Sequence, residues 1–201
     1  MKVGVLASGA GTNLQAILDR LHGRAVEVVA VATDQPGAAA LGRARAAGVD
    51  TAEFPLTAHP DRAARDDAIA AYLAGRGVEL VVLAGYMAIL SAAFLSRFPY
   101  RVINVHPSLL PAFPGVRAIE QALDYGVKVT GVTVHFVDEG VDTGPIIAQR
   151  AVELPRPATP AEVRDRLRPI EHDLLCEAVA GIARGAVRPD PSHPRRILVE
   201  R

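Results

Sequence analysis

The chain has 201 residues, of which half are hydrophobic, and it carries 22 Lys+Arg against 22 Asp+Glu. This length and composition suit one domain with a substantial core and exclude global disorder. The formal net charge of zero argues against a surface that binds nucleic acid or an anionic membrane. The single cysteine, Cys176, excludes an internal disulfide. With no metal-ligand spacing, signal peptide or bilayer-length apolar segment, we expect a soluble protein without a metal site in the reducing cytoplasm.

The N-terminal stretch joins a strand pattern to a helix pattern through a glycine turn. Residues 2–7 form an apolar, β-branched run, and Ser8 to Asn13 read SGAGTN before an amphipathic helical spacing begins. A helix N-terminus that follows such a turn presents free main-chain N–H groups, which favour anions and phosphate in particular. Gly11, Thr12 and Asn13 are therefore the predicted phosphate-binding loop.

The same glycines allow a second interpretation. Gly9 and Gly11 begin a dinucleotide fingerprint, and Asp34 follows a second strand over residues 26–33, where a ribose-binding acid would lie. However, Leu14 occupies the position of the third glycine. We favour a single phosphate monoester over a dinucleotide, and a turn without any ligand stays open.

The middle of the chain alternates between helix and strand patterns. Helices are predicted over residues 37–47 and from Asp61 onward, and strands over residues 51–54, 79–84 and 101–105. This alternation predicts a doubly wound α/β fold with a mostly parallel sheet, in which ligands bind beyond the carboxyl ends of the strands. The glycine turn and the end of the strand over 101–105 are expected to share one cleft.

The segment from Arg101 to Gly115 reads RVINVHPSLLPAFPG. Asn104 and His106 lie two residues apart on a strand and so point to one face, and Pro107 stops the strand there. An amide donor beside an imidazole suits stabilisation of an oxyanion with proton transfer nearby. The alternative is a structural, hydrogen-bonded histidine before a proline.

Two further strands, over residues 127–137 and 145–154, are predicted to be antiparallel neighbours, because only a short turn separates them. That turn carries Asp138, Glu139 and Asp142, but it is too short for an EF-hand. We interpret it as a solvated turn, or as the source of one carboxylate that holds the tautomer of His106 and raises its pKa. His135 is interpreted as structural.

The last long helix is predicted to begin with a capping box. Thr159 is its N-cap, Pro160 its first residue, and Glu162 the partner of the cap. Pro169 is expected to kink or break the helix. The tail from Arg188 is predicted to be irregular.

Three segments together resemble the folate-dependent formyltransferase family: SGAGTNLQAIL, INVHPSLLPAFPG and GVTVHFVDEGVDTGPIIAQ. The resemblance extends from Met1 to about Ala183. It implies one domain over residues 1–201 with a Rossmann-like formyltransferase fold and antiparallel strands in its C-terminal half. Residues 1–100 would form the phosphate-binding half, and residues 101–201 the catalytic and folate-binding half.

The resemblance also implies roles for individual residues. The catalytic trio would be Asn104, His106 and Asp142. The loop for the ribotide phosphate would be Gly11, Thr12 and Asn13, and the positions that meet glycinamide would be Arg168 and Glu171. The folate-binding positions would be Arg62, Met87, Ala88, Ile89, Leu90, Asn104, Asp138, Glu139, Gly140, Val141 and Asp142. Two positions depart from the family: Ala88 lacks the long basic side chain of many relatives, and Arg168-Pro169 differs from the usual pair.

The activity that the resemblance implies is transfer of the formyl group of 10-formyltetrahydrofolate to the amine of 5-phosphoribosylglycinamide in purine synthesis. The amine would attack the formyl carbon directly, and Asn104 and a protonated His106 would stabilise the oxyanion. His106 would supply a proton to the leaving folate nitrogen, while Asp142 would hold His106 and help to remove the proton of the amine. The alternatives are a 10-formyltetrahydrofolate hydrolase and a non-catalytic dinucleotide-binding module. The hydrolases of the family carry an extra N-terminal regulatory domain, whereas the first strand is predicted to begin here at Lys2, which argues against a hydrolase. A monomer and a homodimer are both compatible with the sequence.

Overall fold

The computed structural model describes residues 1–154 and 158–200. Its strands are β1 Lys2–Leu6, β2 Glu27–Thr33, β3 Asp50–Glu53, β4 Leu80–Leu83, β5 Val102–His106, β6 Val129–Phe136, β7 Ile146–Glu153, β8 Val187–Pro189 and β9 Ile197–Val199. Its helices are α1 Thr12–Arg20, α2 Ala39–Ala46, α3 Arg62–Ala74, α4 Ala92–Arg97, α5 Ala118–Tyr125 and α6 Pro160–Ala183, with a 3₁₀ turn at Leu56–Ala58.

The main sheet of the described residues has seven strands in the order β3-β2-β1-β4-β5-β6-β7. Strands β1 to β5 pair in parallel, and β7 runs antiparallel to β6. The fold class predicted from the sequence is thereby confirmed. The chain divides into two compact units, Met1–Asn104 and Val105–Arg201, with the division inside β5.

In the first unit, the central strands β1 and β4 are short and mostly apolar. All four residues of β4 are buried, which is the pattern of a strand covered on both faces. The order β3-β2-β1-β4-β5 reverses direction after β1, so the turn that follows β1 lies at a topological switch point. This is the turn that contains Gly11.

Helix α3 begins where its N-cap was predicted, because the Asp61 carboxylate accepts a hydrogen bond from the Ala64 N–H at 2.8 Å. Helix α4 was not predicted. It has six residues, too few to show helical periodicity, and its N-cap Ser91 accepts from the Phe94 N–H.

In the second unit, α6 packs against β6, β7 and α5. Its capping box between Thr159 and Glu162 is confirmed. The expected break at Pro169 is wrong, since the helix runs uninterrupted for 24 residues. Val163 and Leu167 before the proline and Leu174 after it are buried, and this packing offsets the lost main-chain hydrogen bond.

The tail is also more ordered than expected. Strands β8 and β9 form an antiparallel hairpin in which Val187 pairs with Val199. Each strand has only three residues, which is too short for an alternating pattern to be visible in the sequence. Across residues 1–154 and 158–200, no helix combines the length and apolarity needed to cross a bilayer.

Candidate active site

Strand β5 carries Asn104 and His106, the polar pair that the sequence analysis identified. Asn104 is half-buried and His106 is 5 % exposed, whereas Ile103, which points to the opposite face, is fully buried. The strand includes His106 and stops at Pro107, which lacks the N–H that a further strand residue would need. The imidazole is therefore fixed at the very end of the strand.

Asp142 reaches this imidazole, and its carboxylate Oδ2 lies 3.2 Å from His106 Nδ1. Asp142 has a left-handed backbone with φ 53°, which a non-glycine residue rarely adopts. The Gly115 N–H donates to Oδ2 at 2.7 Å and fixes the carboxylate from the other side. A Cβ at Gly144 would overlap the Phe136 carbonyl oxygen, so only glycine allows the turn to close this tightly.

The other nitrogen of His106, Nε2, lies 2.8 Å from the Phe113 carbonyl oxygen. The ring thus stands between two acceptors, and a neutral imidazole, which carries one N–H, donates to only one of them. Burial lowers the pKa of His106, and this outweighs the raising effects of the Phe113 carbonyl and of Asp142. Asp142 raises the pKa of His106, as the sequence predicted, but desolvation of the cation is the larger effect and the net shift is downward.

The same carboxylate contacts a second histidine. His135 Nε2 lies 3.5 Å from Asp142 Oδ1, and its Nδ1 lies 2.8 Å from the Phe136 carbonyl oxygen. Burial opposes ionisation of Asp142, but the contacts with His135, Gly115 and His106 lower its pKa to about 2. Asp142 is therefore an anion throughout the neutral range.

His135 was interpreted as structural, and its contact with Asp142 was missed. Its side chain is 1 % exposed, so it does lie in the core. The alternation along β6 correctly places it on a face with Thr133, but strand periodicity cannot say which loop will cover that face. The contact arises only when the turn after Phe136 folds back.

In the first unit, the predicted phosphate loop has the geometry of an anion site. Gly11 is the N-cap of α1 with φ 71°, and it has no side chain that could accept from the first helical N–H groups. Thr12 is half-buried and Asn13 is 7 % exposed. The Arg43 guanidinium supports the loop from α2, because its Nε donates to the Ala10 carbonyl at 2.8 Å.

Asp34 is engaged inside the protein. Its Oδ1 accepts from the Ser8 hydroxyl at 2.5 Å, and its Oδ2 accepts from the Gln35 amide at 3.0 Å. The side chain is 8 % exposed. This arrangement disfavours the ribose-binding role that a dinucleotide site would require.

Four of the predicted folate positions, Met87 to Leu90, lie in an irregular segment between β4 and α4. Arg62, on α3, contacts this segment, because its Nη2 donates to the Ile89 carbonyl at 3.0 Å. Met87 and Ile89 are 71 % and 52 % exposed, Ala88 is half-buried, and Leu90 is buried. The segment therefore exposes the apolar side chains of Met87 and Ile89, while Arg62 binds its main chain.

The remaining predicted positions lie in the second unit. Asp138 closes its own turn by accepting from Gly140 N–H and the Thr143 hydroxyl, while Glu139 and Val141 are exposed. Arg168 and Glu171 both lie on α6. Arg168 is exposed and pairs with Asp165 at 2.9 Å, one turn before it on the helix.

Comparison with known proteins agrees with this geometry. The family model described as "Formyl transferase" matches residues 1–179. Phosphoribosylglycinamide formyltransferase of Bacillus subtilis (strain 168) is 43% identical over 173 residues, which cover 85% of this chain and 89% of that protein. The enzyme of the same name from Mycobacterium tuberculosis (strain CDC 1551 / Oshkosh) is 47% identical over 180 residues, 89% of this chain and 83% of its own length.

A solved structure gives the same result. Glycinamide ribonucleotide transformylase 1 from Symbiobacterium toebii superimposes with a TM-score of 0.93 at 47% identity, over 99% of this chain and 93% of that one. The family resemblance seen in the three sequence segments is confirmed. The chain belongs to the formyl transferase family.

Proposed function

We propose that the chain transfers the formyl group of 10-formyltetrahydrofolate to the amine of 5-phosphoribosylglycinamide, a reaction of purine biosynthesis. Relatives named phosphoribosylglycinamide formyltransferase or glycinamide ribonucleotide transformylase match most of the chain. The observation that carries the proposal is the contact of 3.2 Å between His106 and Asp142, two residues that match the catalytic positions of the family. Asn104 lies two residues earlier on the same strand.

The reaction is an acyl transfer. The amine nitrogen of the ribotide forms a bond to the formyl carbon, and the carbonyl electron pair moves to oxygen to give a tetrahedral oxyanion. When this intermediate collapses, the bond to the folate nitrogen breaks, that nitrogen gains a proton, and the attacking amine loses one. The protein therefore has two tasks: to stabilise the oxyanion and to carry a proton from one nitrogen to the other.

Asn104 is assigned to the first task, since its amide donates to the oxyanion without a change of charge. His106 is assigned to the second. Burial lowers its pKa and favours the neutral ring, whose unprotonated nitrogen is assigned to take the proton of the attacking amine and return it to the leaving nitrogen. The anionic Asp142, with a pKa of about 2, stabilises the imidazolium that exists between these transfers. The family resemblance implies a protonated starting state, whereas this proposal starts from the neutral ring that the lowered pKa favours.

Substrate binding is assigned region by region. The ribotide phosphate binds the N–H groups of Gly11 to Asn13, in the half over residues 1–100. The folate contacts Arg62, the segment 87–90 and the loop 138–142, and the exposed Met87 and Ile89 provide the apolar surface that its ring system needs. Arg168 and Glu171 meet the glycinamide group. The half over residues 101–201 carries the chemistry, and the protein works in the cytoplasm as a monomer or homodimer.

A spectrophotometric assay tests the proposal. With 10-formyltetrahydrofolate and the ribotide amine together, absorbance should report steady release of tetrahydrofolate, and mass spectrometry should detect the formylated ribotide. Equal release without the amine would identify a hydrolase and overturn the proposal. Binding of NADH without any turnover would favour the dinucleotide module instead.

A further inference from the structure

One serine lies between two of the segments to which the proposed function assigns substrates. Ser8 lies two residues after the end of β1 and three residues before Gly11, the first residue of the loop assigned to the ribotide phosphate. Its main-chain N–H donates to the Gly85 carbonyl at 3.1 Å. Its hydroxyl oxygen accepts from the Met87 N–H at 3.0 Å. The residue thus binds the beginning of the segment assigned to folate at two points.

The direction of these hydrogen bonds is fixed by a carboxylate. The Ser8 hydroxyl donates its proton to Asp34 Oδ1 at 2.5 Å, so its lone pairs are left to accept from Met87. Asp34 is 8 % exposed and is further oriented by the Gln35 amide. The hydroxyl therefore has one orientation instead of a free rotor.

The far end of the segment is held by α3. Arg62 and Asp66 are four residues apart and so share a helix face. Arg62 donates to the Ile89 carbonyl at 3.0 Å, and Asp66 Oδ2 accepts from the Ser91 N–H at 2.7 Å. The main chain from Gly85 to Ser91 has no regular secondary structure, so these side chains supply the contacts that define its path.

We propose that Ser8, oriented by Asp34, is a positioning residue that holds the main chain of residues 86–90 in the shape that receives the formyl-folate. This inference rests on the proposed function, which assigns the folate to that segment. Ser8 acts through Met87 and does not touch the reacting atoms. Because the bond from Ser8 N–H to Gly85 does not involve its side chain, loss of the hydroxyl should loosen the folate segment and leave the phosphate loop in place.

The test is a set of three variants with steady-state kinetics for both substrates. Ser8→Ala should raise the KM for 10-formyltetrahydrofolate about 5- to 10-fold, the effect of one lost hydrogen bond, while the KM for the ribotide stays within about twofold. Ser8→Thr restores a hydroxyl and should return the folate KM to near the starting value. Ser96→Ala, which removes an exposed hydroxyl that donates within α4, should change neither KM.

A second readout needs no substrate. Amide hydrogen exchange at Met87 should be faster in Ser8→Ala than in the unmodified protein and should slow again in Ser8→Thr. An unchanged folate KM, an equal rise in both KM values, or unchanged Met87 exchange would overturn the positioning role. If the unmodified protein forms no formylated ribotide, the proposed function fails, and Met87 exchange still decides whether Ser8 holds the segment.

Discussion

The surroundings of His106 and the segment over residues 85–91 serve one proposed reaction by opposite means. Around His106, the groups that matter are ionisable side chains that lie in the core and contact one another. In the segment, the side chains of Met87 and Ile89 are exposed, and the main chain is what other residues hold. Proton transfer requires controlled pKa values and hence burial, whereas ligand binding requires a shaped backbone beneath accessible side chains.

The comparison predicts that each region fails in its own way when altered. Loss of a side chain near His106 should reduce kcat and leave the fold largely intact. Loss of a supporting side chain beneath the segment should change stability or a substrate KM. The experiments below test this distinction, beginning with the largest expected effect.

Asp66→Ala should lower the free energy of unfolding by about 3–5 kcal/mol. Asp66 is fully buried and accepts from Arg65 Nη2 at 2.7 Å, so its removal leaves the 3 % exposed Arg65 as an unpaired buried charge. Urea denaturation followed by circular dichroism measures the change. Asp67→Ala is the matched control: its half-exposed carboxylate lies 3.5 Å from Arg97, and its loss should cost at most about 1 kcal/mol. Equal losses in the two variants would contradict the structural role of the buried pair.

His106→Ala should lower kcat by about a hundredfold or more, because it removes the group that carries the proton. Asn104→Ala should have an effect of similar size through loss of the oxyanion donor. Single-turnover kinetics and thermal denaturation should be measured together, with His193→Ala in the exposed tail as a control that leaves kcat unchanged. Near-normal kcat in both site variants would remove them from the mechanism.

Gly11→Ala should destabilise the protein by about 1–2 kcal/mol and raise the KM for the ribotide. Gly11 has φ 71°, and an added Cβ would lie 2.8 Å from the Ala40 main chain on α2. Gly9→Ala in the same loop is the control, because a Cβ there meets nothing within 4 Å. Thermal melts and ribotide titrations distinguish the two. If Gly9→Ala proved as harmful as Gly11→Ala, close approach of α2 would not be the cause.

The smallest expected effect is the pH dependence of the reaction. The pKa of His106 is lowered from its ordinary value of 6.5, so the neutral ring persists below that pH. The His106-dependent part of kcat/KM should therefore stay level down to pH 6.5 and decline only at lower pH, as the ring gains a proton. A decline on the alkaline side of 6.5 would instead indicate a required imidazolium and would contradict the neutral starting state. The pKa of the substrate amine is measured separately by titration, and the pH profile is corrected for its ionisation.

The same shifts set the sign of the stability change in acid. A histidine with a lowered pKa in the folded state binds protons less readily than it does when unfolded, so its contribution becomes unfavourable as pH falls below 6.5. Asp142, whose pKa is lowered from 3.8 to about 2, stabilises the fold above 3.8, and that stabilisation is lost as pH falls towards 2. Both groups therefore predict loss of stability in acid, and His106→Ala should remove the part that begins near neutral pH.

The sequence by itself determined the alternation of strands and helices, the glycine turn after β1 and the cap of α6. These depend on neighbouring residues: a run of apolar side chains, a turn residue, or a side chain that reaches three positions along the chain. The same local rule fixed Asn104 and His106 on one face of β5. It failed for α4, β8 and β9, because elements of three to six residues are too short to show a period.

Only the tertiary structure decided the electrostatics and the supporting contacts. His106 and Asp142 are in contact although 36 positions separate them in the sequence, and the contact of Asp142 with His135 depends on how the turn after Phe136 folds back. The hydrogen bond from Met87 to Ser8 joins residues 79 positions apart. Burial outweighed the raising effect of Asp142 on the pKa of His106, and packing kept α6 continuous through Pro169. Desolvation and packing depend on what surrounds a group in space, and neighbours along the chain do not specify that.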